Sequence, residues 1–385
     1  MQKRRKEIGA GLLLLAALLW LCGFGVQAQE TEEIRQRTEE AVLAQVDMGE
    51  IDRVLEDIFP QERVTFREVL SALLDGSDTI EPSLLAGFVT DALFHVIKAN
   101  RATLAWLLLL IIVAAVFTNF SDVFQNRQIA GTGFYLVYLL LITACLHSFQ
   151  MTVEEVTGSI ETLVTFMNAL APAYFICMAL AVGSVSAIAF YQIVLVVIFL
   201  VELLILHVLL PLIHVCLMMQ VMNFLSEEDY LSKFAELLRT LVGWSLKTLL
   251  ALVTGAGVVQ GILSPSIDAV KRSALTKGVE MIPGIGDVAS GAAEMVLGTA
   301  VLIKNGIGMA GAVIAAFLCL VPILNMGMLT LLYKGLAALV QPVSDRRIVE
   351  AVSSVGDGYR MLLGVVCTTG VLFLITIAVA AAAAA

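Results

Sequence analysis

Glu202, His207 and His214 sit inside one long hydrophobic stretch of the chain. Ionisable groups are costly there, and where they persist they move protons, hold a metal or hydrogen-bond a neighbouring helix. His207 and His214 are seven residues apart, so they share a helix face if Pro211 between them bends the backbone little. Two imidazoles and a carboxylate would suit a stand-alone carrier coupled to ions or protons, although no third close ligand completes a metal site. The plainer alternative is hydrogen bonding between helices, or snorkelling toward the surface. Lys247, near the start of the apolar run 241–263, reads as a snorkelling side chain.

Gly284-Ile285-Gly286-Asp287 matches the GxGD string that intramembrane aspartyl proteases use. That chemistry needs two neighbouring carboxylates sharing a proton so that the pair activates water. The usual second half, a Tyr-Asp pair in an adjacent span, is missing: the chain has Asp229-Tyr230, reversed and in a polar loop. Cys22, Cys145, Cys177, Cys216, Cys319 and Cys367 all lie in apolar runs without CxxC spacing and read as packing thiols. With no P-loop, nucleophile elbow, HExxH or dinucleotide fingerprint, we assign no catalytic, cofactor-binding or metal-ligating residues and expect no cofactor.

The elements that must position these residues belong in lipid. Of 385 residues, 59% are hydrophobic and 15% are charged, against roughly 25% charged in soluble domains, and mean hydropathy is +0.93. The net charge is −10, and residues 29–103 account for most of it with 16 acids and 7 bases. This acidic balance offers no basic footprint for phosphates and excludes direct nucleic-acid binding.

Lys3 to Lys6 precede an apolar stretch that ends at Val26-Gln27-Ala28, so residues 1–28 read as a cleavable signal peptide. Residues 29–103 follow as a small acidic helical domain outside the cytoplasm, with Ile51, Val54, Leu55 and Ile58 on one helical face. Residues 104–385 read as an all-α, polytopic bundle of about 7–8 spans. The eight candidates are 104–120, 134–150, 162–182, 186–206, 208–225, 241–263, 306–333 and 361–383, with a tight hairpin at Pro211 dividing the fourth from the fifth.

Counting crossings places Lys334, Arg346, Arg347 and Arg360 inside and Glu154, Glu155 and Glu161 outside, as the positive-inside rule asks. The same count places Lys271, Arg272, Lys277 and Lys304 outside, against it. Either 186–225 does not make two full crossings, or 278–305 is re-entrant or interfacial; for the second, 278–311, with eight glycines and Pro283, reads as a broken segment serving as lining, gate or assembly element. Gly257 and Gly261 offer a second close-contact site.

The stretch Ile282-Pro283-x-Ile285-Gly286, followed by Leu302-Ile303-Lys304-Asn305-x-x-Gly308-x-x-Gly311, resembles the stage III sporulation protein AE family of endospore-forming bacteria. Leu237-Leu238-Arg239-Thr240, Val259-Gln260-Gly261 and Gln341-Pro342 support the resemblance, which runs through nearly the whole chain. Where acids are expected after the Ile-Pro motif, this chain has Gly291 and then Glu294. The resemblance implies a multi-pass protein of the mother-cell membrane around the forespore. It would be one part of a channel or secretion complex, sometimes called a feeding tube, built with other stage III A-type proteins, among them an ATPase and a ring-forming protein. It singles out Arg239, Gln260, Gly261, Pro283, Gly286, Lys304, Asn305, Gly308, Gly311, Gln341 and Pro342 as structural or assembly positions.

Overall fold

The computed structural model describes residues 48–58, 65–74, 82–119, 127–181, 183–224, 229–280 and 286–382. The signal peptide, Cys22 and Pro283 lie outside them. All regular structure among the described residues is helical: α1 (Gly49–Ile58), α2 (Phe66–Leu74), α3 (Pro82–Asn119), α4 (Arg127–Ala181), α5 (Ser184–Leu200), a π-helical stretch (Val201–Leu209), α6 (Leu210–Asn223), α7 (Ser232–Glu280), α8 (Gly286–Val340) and α9 (Arg346–Ala382).

The corner between α1 and α2 is set by polar caps. The backbone N–H of Thr65 donates to the Glu68 carboxylate at 3.2 Å and that of Glu68 to the Thr65 hydroxyl at 3.3 Å, a reciprocal capping box. Asp52 of α1 accepts the Phe66 N–H at 2.7 Å, which ties the two helices together. Ile51, Leu55, Phe66 and Leu70 then join the same buried core as the long helices, with α1 against α4 and α2 against α8. The expected boundary at 103/104 falls inside α3, which runs through it unbroken.

The eight-span count is corrected by two continuous rods. Candidates 134–150 and 162–182 both lie in α4, 55 residues long, or about 82 Å at 1.5 Å per residue. Glu154, Glu155 and Glu161 suggested a loop, but Phe149, Val156, Ile160 and Leu163 keep the buried helical stripe running beneath them while the carboxylates face outward. Likewise, Ser184–Asn223 is one apolar rod of 40 residues, so the hairpin expected at Pro211 is absent. Proline lacks an N–H and crowds the carbonyl four residues back, and the π-helical stretch Val201–Leu209 directly before it loosens the hydrogen-bond ladder enough to carry the helix onward. Among the described residues five helices are long and apolar enough to cross a membrane, and Asn100–Val116 of α3 is a shorter apolar segment.

The segment 278–311 contains the junction between α7, which ends at Glu280, and α8, which begins at Gly286. From Gly286 through Gly311 the chain is uninterrupted α-helix, and residues 281–285 lie outside the described residues. Within α8, Gly308 and Gly311 lie against side chains of α4, whereas Gly298 faces open space.

Side-chain contacts fix the order of the long helices. Leu170 lies against Gly311 and Tyr174 against Gly308, while Ser148 meets Tyr333, so α4 and α8 run antiparallel. Tyr174 stacks near Phe190 and Phe149 near His214, so the 184–223 rod runs antiparallel to α4 along its length. Cys319 faces Gly370, pairing α8 with α9, and Gly257 faces Val379, pairing α7 with α9. The α4–α5 reversal turns on Gly183, whose φ of 140° is open to glycine and strained for other residues.

Candidate functional site

The most connected polar group lies near the end of the bundle where α8 turns into α9. Asp357 of α9 pairs with Lys334 of α8 at 2.9 Å and with Arg239 of α7 at 3.6 Å. Arg239 also donates to the Gln220 amide oxygen of α6 at 3.3 Å, and Lys334 donates to the Ser353 hydroxyl at 2.9 Å. One carboxylate thus fastens α7 and α8 to α9, and Arg239 carries the link to α6. Gly356, beside Asp357, gives the Lys334 stem its path, since a Cβ there would lie 3.1 Å from Lys334 Cγ.

Beneath this knot is a buried hydroxyl layer. Tyr333 donates to Ser148 Oγ at 3.2 Å, and Ser148 shares a 3.3 Å hydrogen bond with the Tyr359 hydroxyl. Phe149 packs on Tyr359 and on the half-buried His214. Gly358 makes the layer possible: a Cβ there would stand 2.8 Å from the Phe149 ring.

Toward the opposite end, α8 presents Lys304, Gly308 and Gly311 at i, i+4 and i+7. Lys304 is fully buried and donates from Nζ to the Ala381 carbonyl of α9 at 3.1 Å. It thereby supplies a donor to a last-turn carbonyl that the helix itself leaves unpaired. A Cβ on Gly311 would lie 2.5 Å from Leu170, and one on Gly308 3.1 Å from the Tyr174 ring, so α4 rests directly on the α8 backbone here.

The remaining sequence-selected positions divide by place. Asn305 is half-buried on α8, and Gln341 and Pro342 are exposed in the α8–α9 turn. Gln260 and Gly261 fall on the α7 backbone and Gly286 opens α8. Glu202 and His207 face outward; the His207 ring contacts its own helix, with Nδ1 2.6 Å from the Glu202 carbonyl, while His214 stacks inward on Phe149. The three are not gathered around one point. Asp229, the carboxylate weighed as a protease partner, is occupied as a cap. It accepts from the Asn223 amide at 2.8 Å and the Ser232 hydroxyl at 2.7 Å, and bonds with Ser232 and Asn223 hold its carboxyl below the usual carboxylate range. Asp287 stands in the first turn of α8, beyond the far end of the 49-residue α7.

Asp357 was missed in the sequence, although a lone carboxylate between Gly356 and Gly358 in an apolar helix is a visible mark. No cluster of three metal-ligating side chains occurs among the described residues.

Long apolar helices fastened by small-residue seams and a few shared ion pairs define an all-helical, membrane-type bundle whose polar groups hold helices to one another. The chain belongs to the stage III sporulation protein AE family, whose model matches residues 64–384. It is similar to stage III sporulation protein AE of Bacillus subtilis (strain 168), with 24% identity over 369 residues, covering 94% of this chain and 92% of that protein. No solved structure matches it.

Proposed function

We propose that this chain is a non-enzymatic, multi-pass component of a multiprotein channel or specialised secretion complex that links mother cell and forespore during endospore formation. The observation that carries this reading is the family match over residues 64–384, which includes every long apolar helix among the described residues. The geometry supports it: Arg239, Lys304, Gly308 and Gly311, selected from the sequence, each sit at a junction between helices. Its partners are other stage III A-type membrane proteins, with an ATPase supplying energy and a ring-forming protein completing the conduit. Its place is the mother-cell membrane around the forespore.

The test is deletion of the gene in a spore-former and return of variants, with late forespore gene expression as the readout. Gly311→Leu should abolish that expression, while Glu202→Gln combined with His214→Ala should sustain it. The reverse pattern would make the chain a carrier in its own right.

A further inference from the structure

We propose that only half of this tall bundle crosses the hydrocarbon core. In this arrangement a ring of polar side chains at mid-height lies at one membrane surface, and the half carrying Asp357 stands beyond it.

The helix registers place the ring. Glu155 of α4 accepts from the Asn325 amide of α8 at 2.6 Å, which puts those two residues level. The pairs Tyr174–Phe190 and Phe149–His214 bracket Glu161 opposite Glu202. Leu252 and Val253 of α7 share a groove with Val196 and Val197 of α5, and Cys216 of α6 bonds the Ala235 carbonyl. Those two contacts set Lys247 beside the Glu202 turn. Glu154, Glu155, Glu161, Glu202, His207 and Lys247 are all exposed, so the ring faces the surroundings rather than the core.

On the Gly183 side of this ring the charge-free lengths of the helices are about one membrane thick. From Glu161 to Gly183 is 22 residues, from Glu202 back to Ser184 is 18, from Lys247 to Asp268 is 21, and from Asn325 back to Lys304 is 21. At 1.5 Å per residue these lengths come to about 27–33 Å, against a hydrocarbon core of about 30 Å. Between those limiting residues there is no Asp, Glu, Lys or Arg, and Lys304, the limit on α8, is buried.

The other half also exposes apolar residues, Leu136, Leu139 and Leu140 of α4 among them, but it exposes charges as well. Lys233, Glu236, Arg239 and Arg346 are exposed there, and such charges facing acyl chains would cost several kcal/mol each. Trp244, 73% exposed and one turn from Lys247, is the kind of residue that gathers at the headgroup level. Leu140 of α4 and Val215 of α6, exposed on the charged side of the ring, then lie outside the hydrocarbon.

Nitroxide labels on single cysteines test this in the full chain reconstituted in phospholipid vesicles. They would replace Leu140, Glu161, Leu195 and Val258, with the unsubstituted chain as the control for native thiols. Collision with dissolved oxygen is compared with collision with a water-soluble nickel chelate. The expected result is an oxygen-to-nickel ratio several-fold higher at Leu195 and Val258 than at Leu140, with Glu161 at the crossover. A ratio at Leu140 equal to that at Leu195, or a maximum at Glu161, would overturn the proposal. As a second measurement on unlabelled side chains, Trp244 fluorescence in a Trp20→Phe, Trp106→Phe chain should be quenched more by lipids brominated near the headgroup than by lipids brominated at the chain end. Stronger quenching by the deep bromines would count equally against it.

Discussion

Lys334 Nζ lies 2.9 Å from the Asp357 carboxylate, and the same carboxylate faces Arg239 at 3.6 Å, so one anion of α9 serves two cations on different helices. Removing it leaves two like charges near each other with no counterion. Asp357→Ala should therefore cost more than Lys334→Met, which removes one bridge and leaves the other. The side chains are 26–43% exposed, so each bridge contributes about 1 kcal/mol or less, and Asp357→Ala should cost about 1–2 kcal/mol. Thermal unfolding of both variants in detergent checks the order, and equal midpoints would refute it.

The α4–α8 seam gives a sharper contrast. A side chain at Gly311 meets Leu170 at 2.5 Å, whereas one at Gly298 meets nothing within 4 Å. Overpacking costs of about 1–3 kcal/mol are expected for Gly311→Ala, with no measurable cost for Gly298→Ala. Leu170→Ala should recover much of the loss in the Gly311→Ala background, a coupling that a double-mutant cycle reads directly.

Continuity of the rods can be measured as a distance. Residues 136 and 176 lie 40 residues apart on α4, about 60 Å along one helix. Spin labels at the two positions should report that separation by pulsed dipolar spectroscopy. A separation under about 30 Å would restore the folded-back pair of spans that α4 replaces.

What was legible in the sequence, and what was not, follows from how charge and proline act in long helices. Apolar content announced an all-helical bundle, and the spacing of Lys304, Gly308 and Gly311 already placed three residues on one face. The span count failed where local rules were outweighed by packing. Glu154, Glu155 and Glu161 satisfy a loop rule, yet Val156 and Ile160 keep the helix seated in the core. Pro211 satisfies a breaker rule, yet a π-helical stretch absorbs it. The Asp357 knot joins residues more than a hundred positions apart, and a single chain carries no mark of such pairing.

Asp229 ties pH to the start of α7. Its carboxyl is held below the ordinary carboxylate value by Ser232 and Asn223. The stabilisation is complete above the ordinary value and is lost as pH falls through the lower, folded one. Asp229→Ala should unfold at a lower temperature than the parent at neutral pH, and the two midpoints should converge as the medium is acidified into that window. A gap that stays constant with pH would show that the ionised carboxylate is not what caps the helix.

The central claim, that this chain acts by assembling with other membrane proteins, is tested most directly by recovering it from sporulating cells. A tagged full-length chain should bring down other stage III A-type proteins, an ATPase among them, and Gly311→Leu should lose them while the variant still reaches the membrane. A chain recovered without companions from cells whose forespores remain active would contradict the account.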